Sequence, residues 1–153
     1  MKITDILSPE MVVPDLRGNN KPAVIRELGT RLVSKHSEVD LEELVAVLLE
    51  RERLGSTAIG DGIAIPHGKL RAVDRILGVF GRHAPGVDFE SLDGKPTHLF
   101  FLLVAPEDST SLHLKALARV SRLFKDAAFR DRLIATSDPV ETYRLIKEED
   151  AKY

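Results

Sequence analysis

The run His98–Ala105 (His-Leu-Phe-Phe-Leu-Leu-Val-Ala) is almost wholly apolar and is closed off by Pro96 and Pro106. A strand of this kind has no side to turn to water, so it belongs in the middle of a sheet with both faces covered. The remaining chain must therefore supply strands to flank it and helices to cover it.

Helices are legible on both sides of this run. Asn19 or Asn20 is placed to cap one, with Pro22 in its first turn and Val24, Ile25, Leu28 and Leu32 on one face. Asp40 and Glu43 have capping-box spacing ahead of a stripe of Leu41, Leu44, Val45, Leu48 and Leu49. After the apolar run, Ser109 or Ser111 is a candidate cap for a helix whose inner face holds His113, Ala116, Leu117, Val120 and Phe124. Further helices are expected over 127–135 and from Asp138-Pro139, the last carrying Val140, Tyr143 and Ile146 inward. The charged tail from Glu148 to Tyr153 is expected to fray. Strands are expected around Met11–Val13 and over Arg75–His83, with Pro85-Gly86 and Leu92–Pro96 as turns. The expectation is one α/β domain over residues 1–153, a mixed β-sheet flanked by helices.

The stretch Gly55–Lys69 reads Gly-Ser-Thr-Ala-Ile-Gly-Asp-Gly-Ile-Ala-Ile-Pro-His-Gly-Lys. A glycine- and hydroxyl-rich loop leads into a short apolar strand, Ile63-Ala64-Ile65, and then to a histidine held between Pro66 and Gly68. Pro66 fixes its own φ and keeps Ile65 extended, while Gly68 permits close backbone approach. An imidazole is thereby presented at a strand end with little freedom, a demanding way to place a side chain meant only for packing.

Composition removes several function classes. The 153 residues carry a formal charge of −2, which gives no electrostatic reason to expect nucleic acid or an anionic membrane as the main partner. Cysteine is absent, which excludes thiol catalysis and cysteine-ligated metal. No segment reads as a signal peptide or a membrane span, and a cytoplasmic protein is expected. The histidines His36, His67, His83, His98 and His113 show no metal-ligand spacing, so no metal and no cofactor are expected. His36 reads as a solvated helix end, and His83 and His98 as structural residues at strand ends.

Two residues fit a plain core poorly. Arg51 follows Leu48 by three positions and so points near the buried face just before the glycine-rich loop. It either offers planar donors to an anion or lays its stem on apolar surface with its head in water. His113 lies in phase with the apolar face of its helix start, either as packing or as the lining of an anion pocket at the helix N-terminus. A neutral imidazole beside a cation suits phosphoryl transfer, which demands little beyond alignment and charge neutralisation. A hydrolase with Ser56 or Thr57 as nucleophile and His67 as base is a rival, although no Gly-x-Ser-x-Gly elbow is present.

The stretch from Glu52 to Lys69 resembles the active-site signature of phosphotransferase-system enzyme IIA domains of the fructose/mannitol type: Glu52, six residues, Ile59-Gly60, two residues, then Ile63-Ala64-Ile65-Pro66-His67-Gly68. The resemblance extends over nearly the whole chain, including Ser111-Leu112-His113-Leu114. It implies the type-2 enzyme IIA fold and a phosphohistidine at His67, formed at Nε2, with His113 and Arg51 stabilising the phosphoryl charge. Ser56 and Thr57 are weaker candidates for supporting hydrogen bonds to it. The implied donor is a small HPr-like phosphocarrier protein. The loop sequence most resembles the nitrogen-type branch, whose members bind regulated target proteins according to phosphorylation state. The alternative is a stand-alone transport component passing phosphate to a IIB protein. A docking surface around His67 is expected, with Ile59, Ile63 and Ile65 either contributing to it or belonging to the core.

Overall fold

The computed structural model describes residues 1–153 and has the element order expected of an α/β domain. Two 3-10 turns precede β1 (Val12–Val13), followed by α1 (Lys21–Val33) and α2 (Leu41–Arg53). Next come β2 (Ala58–Gly60), β3 (Ile63–Ala64), β4 (His67–Leu70), β5 (Leu77–Val87) and β6 (Thr97–Pro106). The helices α3 (Thr110–Leu123), α4 (Ala127–Ile134) and α5 (Pro139–Asp150) complete the chain.

The apolar run is the sheet's central strand. β6 pairs antiparallel with β5 and parallel with β3 and β4, and the order across the sheet is β1-β5-β6-β3-β2. β1–β5 is parallel and β2–β3 antiparallel, so the sheet is mixed. Residues Leu99–Ala105 are completely buried, as a strand covered on both faces requires. Helices α1 and α2 pack on each other and cover β4 and β5 from one side, while α3 and α4 contact the sheet from the other. On that second side Phe124 joins Phe80, Phe101 and Phe129 in one aromatic cluster.

β3 and β4 are one path along β6 with an interruption at Ile65-Pro66. The register is unbroken across it, with Ala64 beside Phe100 and His67 beside Leu103. Pro66 has no N–H to donate, so the ladder lapses there and resumes as Leu103 N–H donates to the Pro66 carbonyl. His67 therefore opens a strand after the break, where the sequence led us to expect it at a strand's end. Gly68, next along, faces α2: a Cβ there would lie 2.7 Å from Val47 Cγ1. His67 and Lys69, on the alternate side, face α3.

Four further expectations change. Pro85-Gly86 is not a turn but lies inside β5, where the pairing register shifts between Arg82 and Val87 and Gly86 takes φ 85°. Proline and glycine mark a bulge as readily as a turn. Val140 is 74% exposed, because the inner stripe of α5 runs through Thr142, Leu145, Ile146 and Glu149, roughly opposite to it. The tail does not fray from Glu148: α5 continues to Asp150, whose buried carboxylate accepts from Ile3 N–H and from Arg119 Nε. Ser109 stands at the N-cap position of α3 but donates its hydroxyl to the Pro106 carbonyl instead of capping. By contrast, Asn20, Asp40 and Asp138 all accept first-turn N–H bonds as their positions suggest.

Candidate active site

The candidate site is assembled where the break before β4 meets the first turn of α3. His67 Nδ1 lies 2.8 Å from the carbonyl oxygen of Ile65. A carbonyl only accepts, so Nδ1 carries the proton and Nε2 keeps its lone pair. Pro66 disfavours helical backbone at Ile65, the residue whose carbonyl meets the ring.

His113 reaches the same place from α3. Its ring meets His67 edge to face, with centroids 5.3 Å apart and planes inclined at 71°. It is only 6% exposed, and its Nε2 has no hydrogen-bond partner. A buried nitrogen left in that state costs roughly 1–3 kcal/mol, which a ligand group arriving beside it can relieve. Lys69 Nζ donates to Thr110 Oγ1 at 3.0 Å, placing an ammonium at the same helix end. With Ser109 turned away, the first-turn amides of α3 are left for an anion.

Both imidazoles are held neutral. Burial pushes His67 below its ordinary value, the Arg51 guanidinium adds to this, and the Ile65 carbonyl and Glu52 oppose it. Burial, then the nearby His67 and Lys69, push His113 down to about 4. A neutral His67 with a free Nε2 is the nucleophilic form.

Arg51 leaves the last turn of α2 and donates through Nη1 to the Gly55 carbonyl at 2.9 Å. It is half-buried, and the rest of its fork remains available beside the loop. Ser56 and Thr57 are engaged differently. The Ser56 hydroxyl donates to the Phe89 carbonyl and accepts from Ala58 N–H. The Thr57 hydroxyl and amide both donate to Glu52. These hydroxyls hold the loop in place, and neither is bonded to an imidazole as the nucleophile of a hydrolase would be. Ile59 is half exposed, whereas Ile63 and Ile65 belong to the core.

Glu52 is the residue whose part sequence reasoning missed. Only 7% exposed, it bonds Thr57 twice and pairs with Lys21 Nζ at 2.9 Å. Lys21 also pairs with Glu90 and lies 4.9 Å over the Phe89 ring. A carboxylate within an otherwise helical turn just before a glycine was the available signal. Its partner, 31 residues upstream, was not inferable.

His98, at the start of β6, is structural as expected, its Nδ1 meeting the carbonyls of His83 and Ala84. His83, expected at a strand end, lies inside β5, with Nε2 against the Gly18 carbonyl and a buried Nδ1 without a partner. His36 differs from expectation in being largely covered, with Nδ1 3.5 Å from Glu38. No three His, Asp or Glu side chains converge as metal ligands, and no helix is long and apolar enough to cross a membrane.

The chain and its fold are similar to those of known proteins. A nitrogen regulatory protein of Bradyrhizobium diazoefficiens is 42% identical over 146 residues, 95% of each chain. The fructose-specific EIIABC component of Bacillus subtilis is 37% identical over 98% of this chain, which corresponds to 24% of that larger protein. The crystal structure of nitrogen regulatory protein IIA-Ntr from Neisseria meningitidis superposes with a TM-score of 0.87 at 33% identity, covering 94% of this chain and 98% of that one. Mannitol enzyme IIA of Escherichia coli, solved in complex with phosphorylated enzyme IIB, superposes at 0.76 with 26% identity over 92% of this chain and 96% of that one. The family described as the phosphoenolpyruvate-dependent sugar phosphotransferase system, EIIA 2, matches residues 5–149, and the chain belongs to it.

Proposed function

We propose that the protein is a cytoplasmic phosphocarrier of the nitrogen-type branch, taking a phosphoryl group from an HPr-like carrier onto Nε2 of His67. The observation that carries this reading is the 2.8 Å contact between His67 Nδ1 and the Ile65 carbonyl, which leaves Nε2 as the basic nitrogen of a neutral ring. The bond from phosphorus to its donor breaks as the bond to Nε2 forms, and no proton need leave His67. Arg51 neutralises phosphoryl oxygens with its free donors. The unpartnered Nε2 of His113 and the amides of α3 receive the others. Ser56 and Thr57 support the pocket by fixing the backbone of the loop. Output is through target proteins that bind according to phosphorylation state, as the likeness to nitrogen regulatory proteins suggests.

The test is incubation with phosphoenolpyruvate, enzyme I and an HPr-type carrier, followed by intact-mass analysis. One acid-labile phosphoryl adduct in the wild type and none in His67→Ala is the expected result. Normal labelling of His67→Ala ends the assignment. A second reading, transfer onward to a IIB protein, is supported by the EIIABC relative and by the mannitol complex. Rapid discharge of the phosphoprotein by a IIB component distinguishes it from a regulator.

A further inference from the structure

Along α3 beyond His113, two depressions share one arginine. The first, of about 200 Å³, is walled by Lys2, Arg119, Lys147 and Tyr153. The second, of about 280 Å³, is walled by Lys115, Arg119 and Arg122. In a chain of formal charge −2, five cations thus gather on one face. The only carboxylate in these walls is Asp150, and it is already committed. Its oxygens accept from Ile3 N–H and from Arg119 Nε, and the residue is 3% exposed. Lys2, Lys115, Arg122 and Lys147 have no carboxylate partner.

Arg119 is not a loose surface cation. Its Nε donates to Asp150 Oδ1 at 2.8 Å and its Nη2 reaches the Asp150 carbonyl at 3.4 Å, so the fork is fixed in orientation. Nη1 makes no protein hydrogen bond and is left for the cavities. Tyr153 closes one wall of the first depression, with its ring 5.6 Å from the Arg122 guanidinium. A guanidinium oriented by a buried carboxylate and flanked by free ammonium groups matches oxyanions with several negative charges.

We propose that this face is a binding site for a small phosphate-bearing polyanion, centred on Arg119 and distinct from the phosphoryl site. Arg119 lies six residues beyond His113 on α3, a rise of about 9 Å, and His113 lines neither of the two depressions. Occupancy ties together the N-terminal segment, α3 and α5, all of which contribute cations.

The test uses pyrophosphate as probe, titrated into the labelled full chain at constant ionic strength and followed by ¹H–¹⁵N NMR. Saturable shifts at Arg119 Nε–H and at the Ala151 and Tyr153 amides are expected. Removal of Arg119 strands Asp150 and risks the fold, so the variant used is Lys2→Gln/Lys147→Gln, both exposed and unpaired. It is expected to bind at least tenfold more weakly, with carrier labelling of His67 unchanged. Shifts confined to His67 and His113, a linear response without saturation, or unchanged affinity in the double variant each overturn the site. Saturation by an acidic peptide with none by pyrophosphate overturns it too, in favour of a protein-docking surface.

Discussion

His113 stands edge-on to His67 at 5.3 Å, buried and lacking a partner for Nε2, with its pKa pushed down to about 4. Burial and the neighbouring positive charges set that value, so a negative charge delivered beside the ring must reverse part of it. Phosphorylation of His67 brings close to two negative charges to that spot. Histidine-selective NMR titration should show His113 titrating near 4 in the free protein and at higher pH in the phosphoprotein. An unmoved His113 in the phosphoprotein would show that it does not contact the phosphoryl group.

The depressed histidine values also make stability depend on pH. Both folded-state values lie below the ordinary 6.5, so the unfolded chain binds protons first as pH falls. The stability due to neutral burial is complete above about 6.5 and is lost progressively toward about 4. For His113 the loss amounts to about 3 kcal/mol at most. Urea unfolding between pH 7 and 5 reads this before the carboxylates titrate. His113→Leu should flatten the slope, and an equal slope in that variant would locate the protons elsewhere.

Much of this arrangement was legible because it depends on near neighbours in sequence. The apolar run of β6 defined the sheet, and Pro66 before His67 announced a fixed imidazole. The three-residue step from Leu48 placed Arg51 at the edge of the core. What was not legible depends on distant partners. The Ser56 hydroxyl looked free for phosphate, but Phe89 uses it, and Thr57 is held by Glu52. Pro85-Gly86 carries the composition of a turn, yet pairing with β6 kept it within the strand and turned it into a bulge. The end of α5 looked like a charged tail because nothing local shows that Asp150 will meet Ile3 N–H and Arg119.

Arg51 offers a sharper test of the proposed phosphoryl pocket than deletion of His67, its proposed nucleophile. Arg51 Nη1 is tied to Gly55, so the charge is held in place while its other donors make no protein hydrogen bond. Arg51→Ala is expected to slow carrier labelling on the order of 10²-fold, the scale of losing one positioned oxyanion donor. Arg51→Lys restores charge but not the fork and should recover only part of the rate. Full recovery with lysine would mean that charge alone matters at this position.

The clamp beneath the loop gives the last prediction. Lys21 bridges Glu52 and Glu90, and Glu52 in turn holds both polar groups of Thr57. Removing one member of a buried pair leaves the other uncompensated, so Lys21→Met should destabilise the fold by about 3 kcal/mol. The damage should not stop at stability. Without the ammonium, Glu52 remains as a buried charge whose easiest relief is to swing toward water, releasing Thr57 and the turn that positions the Gly55 carbonyl for Arg51. Labelling of the still-folded variant, measured well below its melting temperature, should therefore slow as well, while His67 keeps its bond to Ile65. Lys21→Arg preserves the cation and should restore both properties in part. If Lys21→Met lowers the melting temperature but labels at the wild-type rate, the clamp serves the fold alone and the loop needs no help from α1.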